Sequence, residues 1–333
     1  MLTFIIRRFF HLIPTFIGAT LLAFIVTQLV PGDFLSNLRM QPDVRPETIQ
    51  RLEESFGLNK PWYQQYFIWM GSLIRGDLGQ SFAGNEPVTR VIAVPIRNSL
   101  LLVGFSLILT YLFAIPMGVY SAVRQYSFGD QFISAISYFG LSIPNFFFAQ
   151  VLVLCVFLLR TFTREVFGFS ELLLPVAQMT SSNHEELSSF GKIWDIFKHM
   201  IIPSVVIATG AIAGLTRVLR GQMIEQLSSD YIRTARAKGL AEAKINYKHA
   251  LRIAVIPFVA TIGALLPGLI GGAGLVEVVM SWPGITPVLL GALFGRDIYV
   301  VLGFLVVSTL LLIIGNLISD LLLAAVDPRV RYS

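Results

Sequence analysis

The sequence predicts an all-helical integral membrane protein with six transmembrane helices. Three observations carry that expectation. Hydrophobic residues make up 55% of the 333-residue chain and charged residues 14%, where soluble domains carry about 25% charged residues. So much apolar surface exceeds what a water-facing shell can cover, and lipid must serve as solvent for much of it. The uncharged stretches have the length of a bilayer crossing, about 20 residues. The charged residues fall between those stretches.

The elements follow in chain order. Arg7 and Arg8 precede an apolar run from Leu12 to Val30, with no small-x-small cleavage site behind it, so the run reads as an uncleaved first span. Further uncharged stretches are Asn98–Val123, Gln131–Leu159, His199–Thr216, Ile253–Val276 and Ile298–Ser319. Val278–Gly295 is uncharged as well, but Pro283, Gly284 and Pro287 break helical hydrogen bonding that lipid cannot replace. That stretch reads as a re-entrant or interfacial segment.

Lys and Arg density sets the orientation. The densest group, Arg217 to Arg252, lies between spans four and five and is expected to face the cytoplasm. Both termini are then expected to face the cytoplasm too, in a multi-pass protein. The first outside loop runs from Pro31 to Arg97. Within it, Pro46-Glu47 with Ile49, Leu52 and Phe56 predicts a short amphipathic helix ended by Gly57. A second helix is expected from Lys60-Pro61 to about Ile74, with Trp62, Tyr63, Tyr66 and Trp69 suited to a membrane interface. The other outside loop, Arg160–Lys198, holds the polar run Thr180–Glu186 and reads as irregular. The expected division is residues 1–97, the first span with its long loop, and residues 98–333, a five-helix core with a cytoplasmic loop at 223–252.

Catalytic constellations are missing from the sequence. His11, His184, His199 and His249 are scattered, with no His-x3-His or Cys-x2-Cys spacing, so no metal site is expected. The single cysteine, Cys155, cannot form an internal disulfide. There is no Gly-x-Ser-x-Gly elbow and no Gly-x4-Gly-Lys-Ser/Thr phosphate loop. The Gly271-Gly272-Ala273-Gly274 cluster reads as close helix packing, because it lies in a span with no strand before it. The formal charge of +5 is spread among loops, which excludes a nucleic-acid face. An intramembrane hydrolase would need paired catalytic residues inside spans. An ion-coupled carrier would need buried charges near the midplane, and Asp320 at one end of the sixth span is poor support for that.

One cytoplasmic segment stands out. Ser229 can cap a helix whose first turn holds Asp230, an acid favourable at a helix N-terminus. Arg236 and Lys238 occupy its last turn, and Gly239 supplies a left-handed terminal residue. Ala235 and Ala237 keep its flanks slim enough to enter a groove on another protein. So short a helix needs such a partner, or the membrane base, to hold it. A basic loop resting on lipid headgroups is the alternative reading.

Tyr231-Ile-Arg-Thr-Ala-Arg-Ala-Lys-Gly-Leu240, followed by His249-Ala-Leu-Arg252 and Pro257, resembles the coupling loop of ABC importer permeases. The ordered set Pro31-Gly32-Asp33, Gly57–Pro61, Gly76-Asp-Leu-Gly79, Ile115-Pro-Met-Gly118, Ser142-Ile-Pro144, Ser281-Trp-Pro-Gly284 and Asp327-Pro-Arg329 is similar to the first permease subunit of the dipeptide, oligopeptide and nickel group. Departures are Arg233 and Thr234 where the general motif has Glu and Ala, and Asp327 where Asn is common. The resemblance implies a type I ABC importer permease fold with a cytoplasmic coupling helix. It implies ATPase-coupling roles for Asp230, Tyr231, Arg233, Thr234, Ala235, Arg236, Ala237, Lys238, Gly239 and Leu240, and no catalytic residues. It also implies a second permease subunit, two ATP-binding subunits that hold ATP and magnesium, and an extracytoplasmic substrate-binding protein. No cofactor is expected in this chain. Short peptides are the implied substrate, with nickel chelates, glutathione or other small solutes as the alternative.

Overall fold

The computed structural model describes residues 2–29, 35, 46–57, 59–84, 86–167, 174–259 and 273–326. Among these the chain is helical and carries no strand beyond one isolated bridge, Gln80 to Pro87. The helices are α1 (Leu2–Leu29), α2 (Pro46–Phe56), α3 (Trp62–Ile74), α4 (Val88–Val123), α5 (Phe128–Ser142), α6 (Asn145–Phe167), α7 (Ser189–Leu227), α8 (Asp230–Ala237), α9 (Glu242–Lys244), α10 (Leu251–Ala254), α11 (Ile285–Gly295) and α12 (Ile298–Val326). A π-helical stretch, Ile245–Ala250, joins α9 to α10. Four helices among the described residues are long and apolar enough to cross a membrane: α4, α6, α7 and α12. Ile13–Leu29 of α1 is a shorter apolar segment.

Two compact units are present, one of residues 1–98 with 284–313 and one of 99–283 with 314–333. In the first, α2 and α3 have the bounds their local signals predict. Gly57, at φ +65°, ends α2 in the left-handed region. Uncharged α3 turns Tyr66 and Trp69 inward against Phe24 of α1, and Tyr66 Oη lies 3.2 Å from Thr20 Oγ1. Its other face exposes Trp62, Tyr63, Phe67 and Ile68. Asp297, at the start of α12, accepts from Ser81 Oγ at 2.6 Å and from Ala83 N at 3.2 Å, which ties the turn before α4 to α12. The uncharged stretch Val278–Gly295 is broken as expected. Helix 273–279 ends at a turn with Ser281 at φ +52°, and α11 has 11 residues, too few to cross.

The second unit corrects the single span expected over Gln131–Leu159. Pro144 splits it into α5 and α6, with Ile143 extended at φ −99°, ψ 123° before the ring. A residue that precedes proline is pushed out of the helical region, and apolar content does not reveal this. The expected fifth span, Ile253–Val276, falls partly outside the described residues. Its described ends, 256–259 and 273–276, are helical. Gly271 and Gly272 also lie outside the described residues.

Among the described residues of the loop before α7, the polar run is irregular apart from one 3-10 turn, His184–Glu186, and is held by hydrogen bonds to Asp195. Asp195 accepts from Ser181 N at 2.9 Å and Ser181 Oγ at 2.6 Å, and it pairs with His184 Nδ1 at 2.8 Å. His199 Nδ1 stands 3.4 Å from the same carboxylate. With 39 residues at about 1.5 Å rise each, α7 outreaches a hydrocarbon core of about 30 Å, and Asp195 stands at its projecting end.

At the opposite end of α7, Arg220 forms a two-pronged pair with Asp130 of α5: Nε to Oδ1 and Nη2 to Oδ2, both 2.8 Å. The Asp130 side chain is 3% exposed and that of Arg220 29%. Removing one member of so buried a pair costs about 3–5 kcal/mol, because the other charge is left uncompensated.

Candidate functional site

Helix α8 runs from Asp230 to Ala237, one residue short of the expected end, with Lys238 as its C-cap and not in its last turn. Ser229 stands at the N-cap with extended backbone (φ −72°, ψ 156°), yet its hydroxyl makes no capping bond and donates instead to the Gln226 carbonyl. Its backbone carbonyl takes over, accepting from Ile232 N and Arg233 N, each at 3.2 Å. Asp230 sits in the first turn and pairs with Arg233 at 3.2 Å. Both are solvent-exposed, so that pair is worth at most about 1 kcal/mol.

The C-terminal end is a complete Schellman motif. Gly239 has φ +73°, its N–H donates to Arg236 O at 2.9 Å, and Leu240 N donates to Ala235 O at 3.3 Å. Leu240 then packs against the cluster that holds Ala235. Arg236 reaches past this end to Glu242 of α9 with a fork at 2.8 and 3.3 Å.

The helix has two faces. Ile232 is fully buried and Ala235 is 8% exposed. Both meet a cluster formed by Val119 and Ala122 of α4, Leu219 and Met223 of α7, Ile245 and Ala250 of the π-helix, Ala254 of α10 and Phe258. Full burial of one such Ile side chain is worth about 1.5–3 kcal/mol, which anchors a helix too short to persist alone. Tyr231, Arg233, Thr234, Arg236, Ala237 and Lys238 face outward. The two alanines therefore part company: Ala235 packs inside its own chain, and Ala237 is on the free surface. The i, i+3 spacing of Ile232 and Ala235 is the signal that would have separated them.

The seat beneath α8 depends on a close helix approach. A Cβ on Gly118 would lie 2.8 Å from Leu219 Cβ, so only glycine lets α4 come this near to α7. This explains the glycine of Ile115-Pro-Met-Gly118 in physical terms. His249 belongs to the π-helix that flanks α8, a departure from α-helical geometry that often marks functional positions. Among the described residues, no group of three or more His, Cys, Asp or Glu could hold a metal ion.

The architecture can be set beside known proteins. Residues 114–332 match the family described as "Binding-protein-dependent transport system inner membrane component". Residues 1–102 match the N-terminal region of the corresponding membrane component. The chain belongs to this family. Among relatives of this transport component, the oligopeptide transport system permease protein AppB of Bacillus subtilis is 38% identical over 333 residues, with the whole of each chain covered. The dipeptide transport system permease protein DppB of Alkalihalophilus pseudofirmus is 35% identical over 336 residues and is likewise covered in full on both sides. DppB of Escherichia coli K12 is 35% identical over 337 residues, covering 100% of this chain and 99% of the relative. The resemblance carried by the scattered motifs thus extends along the whole transport component. The family is one of membrane transport components and not of enzymes.

Proposed function

We propose that this chain is one membrane subunit of an ATP-driven importer for short peptides, and that α8 is where the motor acts on it. The single observation that carries the mechanism is the two-faced, fully terminated α8. Its inner face is bolted by Ile232 and Ala235 to α4 and α7, and its outer face is free for a partner. Peptide as substrate rests on the oligopeptide and dipeptide permeases that align end to end with this chain.

In this reading a second permease subunit completes the pathway in a type I arrangement, two ATPase subunits hold ATP and magnesium, and a substrate-binding protein delivers peptide outside. Tyr231, Arg233, Thr234, Ala237 and Lys238 meet the ATPase. Ala235 holds the helix to its seat, Gly239 and Leu240 terminate it, and Arg236 braces it to Glu242. Asp230 favours its N-terminus through the helix dipole. ATP binding closes the ATPase pair and displaces α8 with the helices packed on it, tilting the spans from inward- to outward-facing. The dense basic group Arg217–Arg252 supports a cytoplasmic side for α8 and both termini, in a bacterial inner membrane.

One experiment in intact spheroplasts tests both substrate and orientation. Labelled dipeptide should accumulate only when ATPase and binding protein are present, and an impermeant thiol reagent should label cysteine placed at Ser188 but not at Ser333. Uptake without the ATPase would overturn the mechanism, and labelling at Ser333 would overturn the orientation.

A further inference from the structure

The geometry points to Asp130 and Arg220 as a positioning pair that makes α4, α5 and α7 move as one lever with α8. This inference rests on the coupling role proposed for α8 and adds the route by which its displacement leaves the site.

Arg220 follows directly on Leu219, whose side chain carries the inner face of α8. From that point the guanidinium reaches across to α5 and holds Asp130 by both oxygens. Asp130 does more than pair. It accepts from Tyr126 N at 2.8 Å, and its own N–H donates to Ser127 Oγ at 3.3 Å. Ser127 Oγ in turn donates to Arg124 O at 2.7 Å. Tyr126 stands at φ +62°, a conformation that non-glycine residues rarely hold without such support. One carboxylate therefore fixes the turn that joins α4 to α5 and ties that turn to α7.

The rest of the α5–α7 contact is close packing without the directional geometry of the ion pair. The Arg217 guanidinium lies 4.6 Å from the centre of the Tyr138 ring, and Gly140 faces Thr209 and Ala213. At the α8 end of α7, the two-pronged Arg–carboxylate pair is the contact that fixes both distance and angle. With the pair intact, a push on α8 reaches α4 and α7 through Ile232 and Ala235, and α5 through Arg220. Without it, the end of α7 can shift while α5 stays behind.

The test uses the complete reconstituted transporter, with Arg220→Lys and the double variant Asp130→Asn/Arg220→Gln. Lysine keeps the charge but loses the fork. The double variant leaves no unpaired buried charge, so the fold is retained. Both should recover the ATPase normally and hydrolyse ATP at the wild-type basal rate. Peptide transported per ATP should fall roughly tenfold. An unchanged ratio in both variants overturns the inference, as does a loss of ATPase recovery that tracks the loss of transport. A wild-type complex that recovers no ATPase would instead sink the coupling role itself, so the two failures are distinguishable.

A second measurement needs no change at the pair. Spin labels at Gln131 and Val218, both exposed positions, should keep one separation in nucleotide-free and ATP-bound transporter. A separation that changes between these states overturns the single lever.

Discussion

Replacing Gly239 by Val should abolish most transport while leaving the membrane abundance of the protein unchanged. No atom lies within 4 Å of where a Cβ would stand, so the effect is conformational and not steric crowding. At φ +73° a β-branched residue is strained by about 1–3 kcal/mol. The chain escapes that strain by releasing the two terminal bonds, Gly239 N to Arg236 O and Leu240 N to Ala235 O. Leu240 then leaves the cluster, the last turn of α8 frays, and Arg236 loses its alignment with Glu242. Helix propensity cannot compensate in eight residues. Peptide uptake should fall by more than tenfold, with ATPase recovery falling alongside. Gly239→Asn is the informative control, because Asn tolerates the left-handed region and should retain much of the activity. If the Val variant transports as well as the wild type, the terminated helix is not needed.

Tryptophan placed at Ala237 and at Ala235 should give opposite kinds of damage. Ala237 is exposed on the outer face, so Ala237→Trp should leave abundance and thermal stability unchanged while cutting ATPase recovery at least tenfold. Ala235 is buried in the cluster that holds Val119, Ala122, Leu219 and Met223, where an indole overfills the packing. Ala235→Trp should therefore lower the unfolding temperature of the membrane protein, as overpacked cores lose about 1–3 kcal/mol. Thermal denaturation in detergent and ATPase co-purification, run on both variants, separate the outcomes. Equal ATPase recovery in Ala237→Trp and wild type would remove the outer face from the interface.

What could be read from the sequence, and what could not, divides along the reach of each interaction. The bounds of α2, α3 and α8 follow from signals within a few residues: Pro46, Gly57, Pro61, Asp230 and Gly239. The helix break at Pro144 is equally local, but a reading by uncharged length passes over it, because Ile143 and Pro144 are as apolar as their neighbours. The inward turn of Ile232 and Ala235 needed only helical spacing. Asp130 and Arg220, by contrast, lie 90 positions apart, and nothing near either residue announces the other. The basic residue at 220 reads as a topology signal alone until the fold brings α5 to α7. The clasp of the loop before α7 by Asp195 is of the same kind. Its partners Ser181 and His184 sit in a polar run whose composition resembles any solvated loop.

The central claim is that the outer face of α8 is the seat of an ATPase subunit. A photo-crosslinking residue at Thr234, exposed in the middle of that face, tests it most directly in the assembled transporter. Illumination should join this chain to the ATPase in high yield, and the same crosslinker at Tyr126 in the neighbouring exposed turn should give less of that product. Crosslinking from Thr234 to lipid alone, with the ATPase captured from Tyr126 instead, would contradict the account.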